Sequence, residues 1–249
     1  MTHKPGFTFF GDLLGVAAAY RLSPRRAYEK LNDFYNTVFS SLSGYCQRHV
    51  DHVTVNCFSD SVLVWGADRK GILEHLQKVY IQLFRKGMLL RGAIVDGRLE
   101  KDPRLELENF RKFLPTDDTL ARAVGLEKNE KGARLLVSPA LAESVLADSP
   151  EWLTVEGYMH HPHPEIAVDD ILRRLCPLPS GSSHELLWFW TPSHGGDRDQ
   201  WNCDEASAKL NEIAQFLEGD ASDHYRETAK LLKRCQLRAA RTERRLPAV

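Results

Sequence analysis

The sequence predicts an α+β fold, a ferredoxin-like βαββαβ core with helices on one face of an antiparallel sheet, followed by a C-terminal helical extension. Three observations predict it. Short runs rich in aromatic and β-branched residues recur at 6–12, 52–65 and 88–95. Two stretches of helical spacing separate them, at 23–39 and 73–84. After residue 204 the composition turns charged and helical. The order β-α-β-β-α-β is that of the split βαβ unit.

Each element has its own signal. Gly6 and the run after it read as a buried strand ending on Asp12. Ser23 and Pro24 supply an N-cap and a first-turn proline, and Tyr28, Leu31, Phe34, Tyr35, Val38 and Phe39 continue one apolar helical face. Residues 52–58 and 62–65 read as strands joined by the polar tip Ser59, Asp60 and Ser61. Leu73, Leu76, Val79, Tyr80, Leu83 and Phe84 mark an amphipathic helix, and a strand follows at 88–95 before Asp96 and Gly97. A helix at 118–128 leads through Lys131 and Gly132 into a strand at 134–137. Later strands are expected at 152–155 and 186–190, and a helical pair at 204–217 and 222–241. The chain divides into a main domain, 1–192, and the helical extension, 193–249.

With 249 residues and 43% apolar content the chain can bury a large core. Lys and Arg total 33 against 34 Asp and Glu, so a net charge of -1 offers no global field for nucleic acid or an anionic membrane. Any anion site is local, and neither nucleic acid nor membrane is expected as a partner. No apolar stretch approaches the ~20 residues of a spanning helix, and no secretory signal opens the sequence. Cys46, Cys57, Cys176, Cys203 and Cys235 are scattered and odd in number. That fits neither a disulfide framework nor a zinc ribbon, and points to a reducing cytoplasm.

Singly, an Asp at a strand end is most often a turn former. Asp12 and Asp60 form a stronger pair, because the first strand of a βαββ layout commonly lies beside the hairpin, with neighbouring strands about 4.8 Å apart. Two converging carboxylates repel unless one takes a proton or a divalent cation of oxygen preference, Mg²⁺ or Mn²⁺, sits between them. Apolar flanks on both sides argue against casual surface placement.

The segments Phe10-Gly-Asp-Leu-Leu-Gly15 and Phe58-Ser-Asp-Ser-Val-Leu-Val-Trp65 resemble the two metal motifs of class III nucleotide cyclases. Leu90-Arg-Gly-Ala-Ile-Val-Asp-Gly97, residues 119–127 and Ala133-Arg-Leu-Leu-Val-Ser138 resemble the core elements that follow, so the likeness spans about residues 5–145. Within that superfamily the chain is most similar to the pyrimidine cyclases of Pycsar anti-phage defence, which make cyclic UMP or cyclic CMP. The resemblance implies that Asp12, the Leu13 backbone and Asp60 hold two Mn²⁺ or Mg²⁺ ions. It implies that the backbone from Leu13 through Leu14 to Gly15 wraps the triphosphate, that Arg134 contacts it, and that Asn56 reads the base. Read as bare residues, Arg134 is a strand arginine and Asn56 a solvent-facing strand amide. The implied activity is conversion of UTP to cyclic UMP by a cytoplasmic homodimer with composite sites; cyclic CMP synthesis and a non-catalytic dimerisation module are the alternatives.

The chain also departs from the family. Adenylate and guanylate cyclases carry an Asn and an Arg four residues apart before the Leu-Glu of the later helix, where this chain has Ala121 and Gly125; Arg122 lies one position off. Two further clusters are weaker. His160, His161 and His163 could ligate a transition metal, but Pro162 and Pro164 make the segment a loop without preset geometry. Gly195, Gly196 and Asp197 resemble a diguanylate cyclase signature, yet lie late in the chain and read as a polar loop.

Overall fold

A computed structural model describes residues 4–49, 53–102, 113–148, 175–178, 183–188 and 203–243. Its first strand, β1 (Phe7–Leu13), leads into a short helix α1 (Val16–Leu22) and a long helix α2 (Pro24–Arg48). The hairpin β2 (Val53–Phe58) and β3 (Ser61–Gly66), helix α3 (Arg69–Arg85) and strand β4 (Leu90–Asp96) complete the βαββαβ unit. Beyond it come α4 (Thr119–Glu127), β5 (Leu135–Val137), α5 (Pro139–Asp148), β6 (Leu175–Pro177), β7 (His184–Leu186), α6 (Cys203–Gln215) and α7 (Gly219–Glu243).

The strands form one sheet in the order β2-β3-β1-β4-β5-β7-β6. Its first four strands are antiparallel throughout, with β1 central between β3 and β4, the ferredoxin-like arrangement. β5 adds parallel to β4, and β7 and β6 extend the sheet antiparallel.

Period-2 alternation divides the faces. Phe7, Phe9, Leu13, Val62, Val64 and Ile94 bury against Phe34, Val38 and Leu42 of α2 and Ile72, Leu73, Leu76 and Val79 of α3. Phe9 is wholly buried, and its ring lies across Gly11 and Gly92, paired residues of β1 and β4. A Cβ on either would meet that ring at 2.7 Å, so only glycine fits beneath it. α2 begins as its sequence predicts, with the Ser23 hydroxyl accepting from the Arg26 amide at 3.5 Å and Pro24 in the first turn.

The helices of the βαββαβ unit, α2 and α3, cover one face as expected, and α4, beyond that unit, lies on the other. Leu120 packs with Leu63, Trp65 and Leu99, and Leu126 with Ala93, Leu136 and Leu178, on the opposite side of the sheet. Trp65 is capped there by the ring of Phe113, 6.1 Å away, and by the Lys101 ammonium. Among the described residues α4 and Phe113 leave the ends of β1, β2 and β3 around Asp12 and Phe58 uncovered; Phe58 is 49% exposed.

The later elements differ in detail from the expectation. The strand expected at 186–190 is β7, shifted to His184–Leu186; Trp188 follows it, packed on Tyr80 and Phe84. The strand expected at 152–155 lies outside the described residues. Helices α1 and α5 and strand β6 have no counterpart in the sequence reading. The C-terminal pair is present, and Leu210, Ala229, Leu231 and Leu232 join the main core beside Leu186 and Trp188. Thr228 accepts from the Ala133 amide at 2.8 Å and His224 from the Gly132 amide at 2.9 Å, tying α7 to the start of β5. No helix among the described residues is long and apolar enough to cross a membrane.

Candidate active site

Strand register brings the two carboxylates together. Asp12 stands opposite Ser61, the first residue of β3, and the Leu13 amide donates to the Asp60 carbonyl at 2.8 Å. Asp60 is the second residue of the two-residue hairpin loop. Ser59, the first, has φ 53°, the positive value that primed hairpin turns need there. For a residue with a Cβ that conformation costs roughly 1–2 kcal/mol. The Tyr35 hydroxyl donates to the Ser59 carbonyl at 2.9 Å and helps hold the tip in place.

Burial, followed by repulsion from Asp60, raises the Asp12 carboxyl above its ordinary value, while the Ser61 hydroxyl, donating at 3.1 Å, and the Arg91 guanidinium oppose the rise. A pair of oxygen donors under mutual repulsion fits a hard divalent cation, and Mg²⁺ commonly takes one or two carboxylates and completes its shell with water and substrate phosphate. No group of three or more His, Cys, Asp or Glu able to hold a metal occurs among the described residues.

Arg91 is the neighbour the sequence reading leaves out. It stands on β4 opposite Asp12 of β1 and pairs with Glu127, a fully buried carboxylate at the end of α4. Its Nη1 also lies 3.4 Å from Nε2 of His224 on α7. The motif around Arg91 was visible in the sequence, but the register that sets it against Asp12 was not.

The turn from β1 into α1 lies beside Asp12. Gly15 caps α1 with φ 81° and ψ 14°, a left-handed conformation that favours glycine. The side chains of Leu13 and Leu14 belong to the core, so only their backbone could meet a ligand. The amides of both are already engaged, Leu13 with the Asp60 carbonyl and Leu14 with the Leu89 carbonyl. Of the three residues expected to wrap a triphosphate, Gly15 is therefore the one whose amide is not drawn into those pairings. The Leu14 carbonyl accepts from the Lys30 ammonium at 2.9 Å.

Asn56 shares the face of Asp12, because it pairs with Leu63, which pairs with Phe10, two residues before Asp12 on β1. Arg134 lies elsewhere. Its guanidinium is buried, donates to Glu185 at 2.7 Å and to the Lys131 carbonyl at 2.9 Å, and lies 3.6 Å from Glu227. Within this chain the Arg134 fork is thus occupied by Glu185 and the Lys131 carbonyl, with Glu227 beside it. Arg122 is likewise committed, to the side chain and carbonyl of Asp96 and to Asp118. Ala121 and Gly125 lie on α4 and offer no polar side chain. The histidine cluster at 160–163 and the Gly-Gly-Asp segment at 195–199 lie outside the described residues.

No family model matches the sequence, and no curated protein matches it. Among solved structures, the guanylate cyclase domain of RhGC from Catenaria anguillulae in complex with GTP is similar over 74% of this chain and 96% of its own, at 12% identity and a TM-score of 0.46. The monomeric guanylyl cyclase domain of the RhoGC fusion protein from Blastocladiella emersonii is similar over 74% and 95%, at 11% identity and 0.46. The adenylyl cyclase CyaB from P. aeruginosa is similar over 60% and 84%, at 17% identity and 0.43.

Proposed function

We propose that this chain is a metal-dependent nucleotide cyclase that closes a nucleoside triphosphate into a 3′,5′-cyclic monophosphate and releases pyrophosphate. One observation carries the reading. The two acidic strand ends picked out from the sequence meet at the open end of the sheet, held by the Leu13–Asp60 backbone bond and the Ser61–Asp12 hydrogen bond.

Bound between the carboxylates, two Mn²⁺ or Mg²⁺ ions would sharpen the ribose 3′-oxygen as nucleophile and neutralise charge on the phosphates. The chain's own part is positional. Asp12 and Asp60 fix the charge centre, the Gly15 turn lets a phosphate approach the backbone, and Asn56 lies on the same face within reach of a base edge. The uncovered sheet face suits a second copy of the chain, and a symmetric homodimer would form two equivalent composite sites. The proposed substrate is UTP, the product cyclic UMP as a second messenger in anti-phage defence, and the setting the cytoplasm; the resemblance to pyrimidine cyclases and the amide at position 56 support this choice. An amide donates and accepts, so it suits a pyrimidine edge, and a mismatched buried polar group costs about 1–3 kcal/mol.

The test offers ATP, GTP, CTP and UTP with Mn²⁺ to the purified chain and separates the products. Cyclic UMP as the main product is expected. Faster turnover of a purine overturns the substrate assignment, and no cyclic product with any triphosphate overturns the cyclase reading.

A further inference from the structure

Lys30 lies on the second turn of α2, where α2 folds back beside α1 and the turn that joins α1 to β1. Its ammonium carries three donors. One goes to the Leu14 carbonyl at 2.9 Å, and a Cβ placed on Gly15 would come within 3.4 Å of the same nitrogen. The charge therefore stands at the mouth of the left-handed Gly15 turn, three residues along the chain from Asp12.

Three cations on or beside the sheet are matched with carboxylates, while Arg69 meets the Gly6 carbonyl and the Ser144 hydroxyl. Arg91 has Glu127, Arg122 has Asp96 and Arg134 has Glu185. Among the described residues Lys30 has a neutral carbonyl as its partner, and burial lowers its pKa. A half-buried ammonium without a counter-charge is unfavourable unless an anion arrives to meet it. The site supplies an occasion for one: a triphosphate together with the Asp12 and Asp60 carboxylates carries more negative charge than two divalent ions offset, and this turn is the cationic ground beside it.

On the cyclase reading, we propose that Lys30 is a substrate-binding residue that contacts the polyphosphate at the β1–α1 turn, the cationic role that Arg134 does not fill within its own chain. The ligand class is a linear polyphosphate, and the two donors not given to Leu14 are the contacts.

The experiment uses the full chain and inorganic tripolyphosphate, titrated calorimetrically in the presence of saturating Mn²⁺, with Mn²⁺ alone as a separate titration. Lys30→Gln is expected to weaken tripolyphosphate binding about tenfold to a hundredfold, as loss of a charged hydrogen bond implies. Mn²⁺ affinity should stay at the wild-type value, and Lys30→Arg should restore most of the tripolyphosphate affinity. In turnover, KM for the nucleotide should rise more than kcat falls. Unchanged tripolyphosphate binding by Lys30→Gln overturns the proposal and leaves the cyclase reading intact. Parallel loss of Mn²⁺ and tripolyphosphate affinity also overturns it, since Lys30 would then be shaping the turn rather than meeting the ligand. A wild-type chain that binds neither probe overturns both.

Discussion

Tyr35 donates its hydroxyl to the carbonyl of Ser59, 2.9 Å away, so a side chain of α2 holds the hairpin tip on which Asp60 stands. The bond is largely exposed and Ser59 is in the left-handed region, so the tip has little else to fix its first residue. Tyr35→Phe is expected to leave the fold within ~1 kcal/mol of wild type, since a hydrogen bond of this kind contributes about that much. Its effect should appear in Mn²⁺ affinity, which falls several-fold as Asp60 loses its fixed position. Calorimetric Mn²⁺ titration of the variant checks this, and an unchanged affinity counts against any part for Tyr35 in holding the tip.

Asp60→Ala removes a carboxylate from a loop rather than volume from the core. The purified variant should remain folded, with cyclic nucleotide production abolished. Removing a negative neighbour should also relieve Asp12, whose carboxyl is pushed up by burial and then by Asp60. Turnover near the wild-type rate would remove Asp60 from the metal site.

Arg134→Met breaks a buried ion pair and takes the guanidinium partner from Glu185, which is 1% exposed. Losing one partner of such a pair costs about 3–5 kcal/mol. Chemical denaturation should show a loss of that size, and Arg134→Met with Glu185→Met together should recover much of it. A variant of wild-type stability whose only defect is a raised KM would instead place Arg134 on the substrate.

His224 gives the fold a pH dependence. Burial first, then the charges of Arg91 and Lys131, lower its pKa below 6.5, and its Nδ1 accepts from the Gly132 amide only while unprotonated. The unfolded chain therefore binds the proton more readily, and the stability contributed by neutral His224 is fully present above pH 6.5 and lost as pH falls through the folded value. His184, also lowered by burial, acts in the same direction. Melting temperature should fall on acidification through this window, and less steeply for His224→Gln. Identical slopes would exclude His224 as a source.

How much of this could be read from the sequence follows from the range of each interaction. Asp12 and Asp60 were legible because each closes a local apolar run, and the antiparallel placement of β1 beside β3 needed only the order of elements. Arg91 opposite Asp12 depends on register, and Lys30 at Leu14 on how two helices fold back. The Arg134–Glu185 pair joins residues 51 apart. None of these leaves a local signature. α1 was missed as seven residues without a side-chain cap. α5 carries a start signal of the same kind as α2, Ser138 before Pro139 with the Ser138 hydroxyl accepting from the Leu141 amide at 3.4 Å, and that signal could have found it.

The bond from the Ala133 amide to Thr228 spans 95 residues. At about 5–20 residues per second, a ribosome that has just delivered Ala133 needs several seconds more before it supplies Thr228. Through that interval the residues of β1 to β4, Asp12 and Asp60 among them, have been synthesised, while the entry to β5 still lacks the helix that receives its amides. Every residue of the carboxylate end is thus made before α7, the helix that meets Arg91 through His224.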